Sequence, residues 1–282
     1  MKACEDRSNI APFFLSRAHL SSMIKGENAE IDMHRAQAVG SKDWRVQRRF
    51  ARYLIESDQS AEAIKYLKGA WAQHKDNYAL GMDLVRQLVH AQQYQEAITV
   101  LDQLEVLPFE GASEGRQLHQ QANTGAAIEL MNKRDWKEAV KNLEKAKEWP
   151  ERLGVGKPYD PDERLTDYLL AYCYQKLGDN QKRKAFYKKV WQYTEDKGDR
   201  ISPNHLLGLL SHRSLGGEQN RSPITARMQE QGYAEAPDVR WIKAMFRQDE
   251  SQLQLLLHQH PKRWRSMPIQ LLEQAVRLVE AK

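Results

Sequence analysis

Four segments set alanine and larger apolar residues at helical spacing among charged neighbours: GENAEIDMHRA around Ala29, QSAEAIKYLKGA around Ala63, QYQEAITVLDQL around Ala97 and DWKEAVKNLEKA around Ala139. Four and seven residues after each alanine stand Met33/Ala36, Leu67/Ala70, Leu101/Leu104 and Leu143/Ala146. Positions i, i+4 and i+7 share one face of a helix, so each segment predicts an amphipathic helix. A partner helix precedes each of the last three, with its own seam: Phe50, Ala51 and Leu54; Leu84, Val85 and Leu88; Ala126, Ala127 and Leu130; a fourth such seam, Leu170, Ala171 and Tyr174, follows farther on. Small residues at the crossing let paired axes approach, and bulky ones fill the space toward the next pair.

The four alanines lie 34, 34 and 42 residues apart. A fixed period of one helix pair is the mark of a solenoid, and 34 is the tetratricopeptide value. The segment DYLLAYCYQKLGDNQKRKAFYKKV resembles a further unit, with Leu-Gly-Asp at its turn but Arg183 where alanine is expected, so its second helix should pack less closely. The resemblance to tetratricopeptide repeats covers residues 10 to 195. It implies an all-α helix-turn-helix superhelix, an α-solenoid, over 1–195.

Past 200 the period fades while helix signals persist. Ser202-Pro203, Ser222-Pro223 and Ser266 with Pro268 look like capped helix starts. The seams Leu206/Leu209/Leu210, Trp241/Met245/Phe246 and Leu253/Leu256/Leu257 predict four or five further helices, continuing or capping the solenoid over 196–282. The best strand candidate, LEVLPF at 104–109, falls at the end of a helix whose phase the repeat already fixes.

Composition agrees with an all-helical chain. Of 282 residues 29% are charged and 41% apolar, with glycine and proline few and clustered, as at joints. Forty-three Lys and Arg against 38 Asp and Glu leave +5, too mild a bias to imply nucleic acid. The two cysteines, Cys4 and Cys173, make neither a disulfide framework nor a zinc site by themselves. No run approaches the roughly 18 apolar residues of a membrane span, and MKACEDRSNIAPFFLSR lacks a signal peptide's apolar core. As it stands the chain is expected in the cytoplasm; as a piece of a longer exported protein it would be periplasmic.

Several motifs suggest chemistry. Gly154-Val-Gly156-Lys157 invites comparison with a phosphate loop, but Glu151 replaces the first glycine and Pro158 the metal-holding Ser or Thr. Gly111-Ala-Ser113-Glu-Gly115 matches G-x-S-x-G, which needs a strand-to-helix turn that this pattern does not provide. His258 and His260, two apart, fall on different sides of a helix, and a metal site is not expected. Asp160, Pro161 and Glu163 read as a helix start with a capping box. Neither a cofactor nor catalysis is expected.

Arg45, Arg48 and Arg52 lie three and four apart on the first helix of a unit, and Arg86 takes the place of Arg52 in the next. First helices line the concave face of this architecture, where such a stripe would hold carboxylates through bidentate hydrogen bonds. An ordinary solvated face carries the same pattern. Two further basic clusters, Lys182/Arg183/Lys184/Lys188/Lys189 and Lys262/Arg263/Arg265, read as surface.

Two insertions lengthen the period, LPFEGASEGR at 107–116 and WPERLGVGKPYDPDERL at 149–165. With the DYLLAYCYQKLGD that follows, they resemble a bacterial family of unknown function that joins an N-terminal galactose-mutarotase-like β-sandwich to tetratricopeptide repeats. The first functional expectation is a non-catalytic scaffold binding a peptide, partner protein or neighbouring domain on its concave face. The alternative, which the family resemblance implies, is the accessory helical part of a carbohydrate-active protein. There Trp149 and Tyr159 would stack on sugar while Arg152, Lys157 and Asp160 bond its hydroxyls, and any catalysis would lie in the sandwich.

Overall fold

The computed structural model describes residues 11–23, 29–108, 113–218, 222–230 and 232–281. Cys4 and Gly111 lie outside them, so the first glycine of the G-x-S-x-G match is not described. Among the described residues there are sixteen α-helices and no strand. They are α1 (Ala11–Met23), α2 (Ala29–Val39), α3 (Trp44–Glu56), α4 (Ser60–Gln73), α5 (Tyr78–His90), α6 (Tyr94–Leu101), α7 (Glu114–Asn132) and α8 (Trp136–Lys147). After a 3-10 turn at Glu151–Leu153 come α9 (Arg164–Lys176), α10 (Asn180–Asp196), α11 (His205–Ser214) and α12 (Pro223–Arg227). The last four are α13 (Pro237–Arg247), α14 (Glu250–Gln259), α15 (Pro261–Trp264) and α16 (Met267–Glu280).

The helix pairs are built on a recurring joint. Asp58, Gln92, Arg134 and Gly178 each take the left-handed conformation, φ between 58° and 81°, five residues before Ala63, Ala97, Ala139 and Arg183. In every case that residue's N–H bonds the carbonyl three back, and the next N–H bonds the carbonyl five back, as in Gln92→Val89 and Gln93→Leu88. This closure satisfies the last carbonyls of the first helix and aims the chain into the second. Asp135 and Asp179 then accept the N–H of Glu138 and Lys182 and start the next helix. A fifth copy occurs at Gln248, φ 57°, with Asp249 capping α14, so α13–α14 is another such pair where the residue period had faded.

By packing the chain forms two compact units, Met1–Leu118 with Arg152–Gly154, and His119–Glu151 with Val155–Lys282. The first is held by the predicted seams. Ala63, Leu67, Ala97, Leu101 and Val85 are fully buried, and Phe50, Leu54, Met33 and Ala18 form one cluster. Expulsion of these side chains from water is the main drive for pairing, at about 25 cal/mol per Å² of apolar surface. Leu104–Pro108 is irregular chain, not a strand, and the Val106 N–H donates to the Arg152 carbonyl at 2.7 Å. Gly154, φ 84°, turns the chain there so closely that a Cβ would meet the Val106 side chain at 3.2 Å.

The second unit has a larger continuous core including Tyr168, Tyr187, Leu206, Leu210, Ile242 and Leu272. Looser packing was expected around Arg183, yet rings close that joint: Tyr174 stacks on Phe186 at 5.6 Å and Tyr168 meets Tyr187 at 5.8 Å. Farther on, Trp241 stacks on Trp264 at 5.7 Å. Ser222 caps α12 with Pro223 in its first turn, as the sequence indicates. Two other starts are displaced. The helix expected at Ser202-Pro203 begins at His205, because Ser202 donates its N–H to the His205 ring instead of capping. Asp160-Pro161 does not open α9 either: that helix starts at Arg164, Asp162 accepts its N–H, and the Glu163 side chain is drawn away by lysines.

Candidate interaction site on the first helices

Along the chain α3, α5 and α7 are the first helices of three successive pairs, and the first unit takes in α3, α5 and the opening of α7 as far as Leu118. Arg48 projects from α3 and donates to Asp83 on α5, Nε to Oδ2 at 2.6 Å and Nη2 to Oδ1 at 3.4 Å. Arg86, one turn beyond Asp83, donates Nη1 to Oδ1 at 2.6 Å. Arg52 brings its Nε to 3.9 Å from the same carboxylate. Three guanidiniums of the predicted stripe therefore gather on one buried acid. Arg45 stands apart, lying over the Trp44 ring at 4.7 Å with Asp43 at 3.8 Å.

Asp83 is only 2% exposed. Burial alone would push its carboxyl up, but the hydrogen bonds and charges of Arg48 and Arg86 more than reverse this and hold it below the usual carboxylate range. A second acid completes the cluster: Glu114, in the first turn of α7, receives Nε of Arg86 at 2.8 Å and Nη2 at 2.6 Å, both on Oε1. At the end of α5, burial and the charge of Arg86 lower the pKa of His90 and favour its neutral form.

Sequence reasoning found the arginines and missed both acids. Asp83 did carry a signal, a single carboxylate inside the apolar run Leu80–Leu88, where it must meet a counter-charge. Glu114 carried none, because its partner is 28 residues away on another helix.

The 149–165 loop is more occupied than expected. Arg152 bonds the Leu101 carbonyl and Asp102, the latter at 2.9 Å. Lys157 reaches Glu163 at 3.2 Å, and Asp160 pairs with Lys197 at 2.6 Å. Trp149 is half-buried, while Tyr159 is wholly exposed. Gly154 is explained by its close approach to Val106, and the lysine of the resembled phosphate loop is committed to a carboxylate. Ser113 precedes α7 with its Oγ accepting from Gln117 at 3.3 Å.

Around the start of α9 two buried acids are met by lysines. Lys147 from α8 lies 2.7 Å from Asp167 and 3.4 Å from Glu163, and Lys189 from α10 lies 2.8 and 3.0 Å from the same pair. Nearby, Arg164 holds Asp162 through two bonds at 2.7 and 2.9 Å and approaches Nδ1 of fully buried His205 at 3.3 Å. Burial first, and then the Arg164 charge, push this imidazole down to about 4. Among the described residues no group of three or more His, Cys, Asp or Glu is placed to hold a metal, and no helix is long and apolar enough to cross a membrane.

Residues 54–106 match the tetratricopeptide repeat family model. A tetratricopeptide repeat protein from Parabacteroides merdae ATCC 43184 aligns over 95% of this chain and 98% of its own, at 10% identity and a TM-score of 0.51. The fold is a tetratricopeptide-type helical solenoid. YrrB, a TPR protein with an unusual peptide-binding site, aligns over 75% of this chain and 96% of its own, at 19% identity and a TM-score of 0.47. No curated protein matches. Neither the family model nor these two structures bears on the β-sandwich-linked family that the loops resemble.

Proposed function

We propose that this chain is a non-catalytic interaction module, and that the first-helix face of its first unit takes an acidic segment of a peptide or partner protein. The observation that carries the reading is the convergence of Arg48, Arg52 and Arg86 on Asp83. One carboxylate cannot saturate three guanidinium forks, each with five N–H donors, so the cluster keeps donors for an incoming acid. Arg52 is the best placed of them, half-exposed and beyond hydrogen-bond distance of Asp83. Asp83 holds Arg48 and Arg86 in place before a ligand arrives, which reduces the ordering cost of binding.

The loop supports the carbohydrate-accessory alternative less well, since its polar candidates are divided among separate partners, Arg152 on Asp102, Lys157 on Glu163 and Asp160 on Lys197, and do not converge as the arginines do. The arginine reading is tested with a fluorescein-labelled hexaglutamate peptide followed by anisotropy. Arg52→Ala is expected to weaken its capture several-fold at low salt while circular dichroism stays unchanged. Equal capture by wild type and variant would remove the arginine cluster from the account.

A further inference from the structure

We propose that Glu114 occupies, in the free protein, the position on Arg86 that a partner's carboxylate takes in the complex. This deepens the reading above and rests on it. The two acids of the cluster differ in kind. Asp83 is buried, shares α5 with Arg86, and receives bonds from two arginines, which makes it a permanent counter-ion. Glu114 comes from another helix, half its side chain is exposed, and it touches Arg86 alone among the arginines of the cluster.

Charge counting then separates the three cations. Asp83 neutralises one and Glu114 a second, leaving one positive charge, with Arg52 the least engaged. The Arg86–Glu114 pair is open to water and salt on its Glu114 side, which weakens it. A carboxylate delivered by a ligand already anchored on Arg52 has a high local concentration and can replace it. The preferred ligand is therefore a segment with at least two carboxylates, one on Arg52 and one displacing Glu114 from Arg86. Affinity is set by competition within the chain, and Glu114 keeps single acidic side chains from binding tightly.

The experiment compares hexaglutamate affinities of wild type, Glu114→Gln, Arg52→Ala and the charge-matched control Glu62→Gln, on an exposed second-helix position. Removing the competitor in Glu114→Gln is expected to tighten binding about two- to fivefold, the range an exposed ion pair corresponds to, with Glu62→Gln near wild type. If Glu114→Gln binds like wild type while Arg52→Ala weakens binding, the competition is overturned and the arginine reading stands. Equal tightening by Glu62→Gln overturns it too, since net charge alone would then be at work. If wild type does not bind the peptide, or Arg52→Ala changes nothing, the site reading fails and this inference with it.

Discussion

Each unit buries acid against base: the first gathers arginines on Asp83, and the second, besides its Arg164–Asp162 pair, sets lysines on Asp167 and Glu163. In the first, Arg48 and Arg52 of α3 and Arg86 of α5 surround Asp83, with Glu114 of α7 at the edge. In the second, Lys147 and Lys189 each bridge both Asp167 and Glu163, tying α8, α9 and α10 together. An ammonium is a compact point charge that two carboxylates can saturate, whereas a guanidinium is a planar fork whose remaining donors point outward. The lysine cluster works as a staple, and the arginine cluster has capacity left for a ligand.

The strongest way to break this contrast is Asp167→Ala. It leaves Lys147, which is largely buried, facing Glu163 alone, and a loss of about 2–4 kcal/mol in urea unfolding is expected, with hexaglutamate binding unchanged. Stability within about 0.5 kcal/mol of wild type, the range of ordinary surface changes, would end the staple interpretation.

Acid should separate the units next. His205 titrates near 4 when folded and near 6.5 when unfolded, so the unfolded chain binds the proton first as pH falls. Its contribution is fully present above pH 6.5 and lost between there and about 4, up to roughly 3 kcal/mol in the second unit. Asp83 and Glu163 behave differently. Their folded values are depressed, so their contribution persists down to their unfolded values near 4 and is lost only as pH falls further. Hydrogen exchange at pH 7 and 5 should show protection falling in α11 before α5. The reverse order would contradict the assignment to His205.

A smaller effect sharpens the chemical point. Arg48→Lys keeps the charge beside Asp83 but loses the two-pronged contact, and about 1 kcal/mol of stability should go with it. Lys189→Arg should change stability by less than half as much, because its contacts need only a positive charge. If the two exchanges have equal effects in thermal unfolding, the fork geometry is irrelevant.

The sequence showed most of the fold because its alanine stripe marks where paired helices cross, and Ala63, Ala97 and Ala139 are all fully buried. The left-handed joints were legible only at Gly178. Asp58, Gln92 and Arg134 adopt that conformation at a cost of about 1 kcal/mol each against glycine, and of these only aspartate is a residue type that visits it with any frequency. The fifth joint lacks the repeat's mark because Leu253 stands where three of the other four have alanine, although Gln248-Asp249 repeats the turn. At the candidate site, periodicity put the arginines on one face but could not supply Glu114, which reaches them from the next pair. The loop's charged residues looked available because their partners, Asp102 and Lys197, are distant in sequence.

One contact also orders events in time. Nearly all of this topology is local, helix beside next helix, but the first unit is completed by Arg152, whose carbonyl takes the Val106 N–H and whose guanidinium holds Leu101 and Asp102. A chain emerging from the ribosome must therefore present α7 and α8 before the end of α6 can be sealed. Synthesis at about 5–20 residues per second leaves that end uncovered for a few seconds. The edge bearing Val106 and exposed Leu107 is the stretch a chaperone or a misplaced neighbour would meet first.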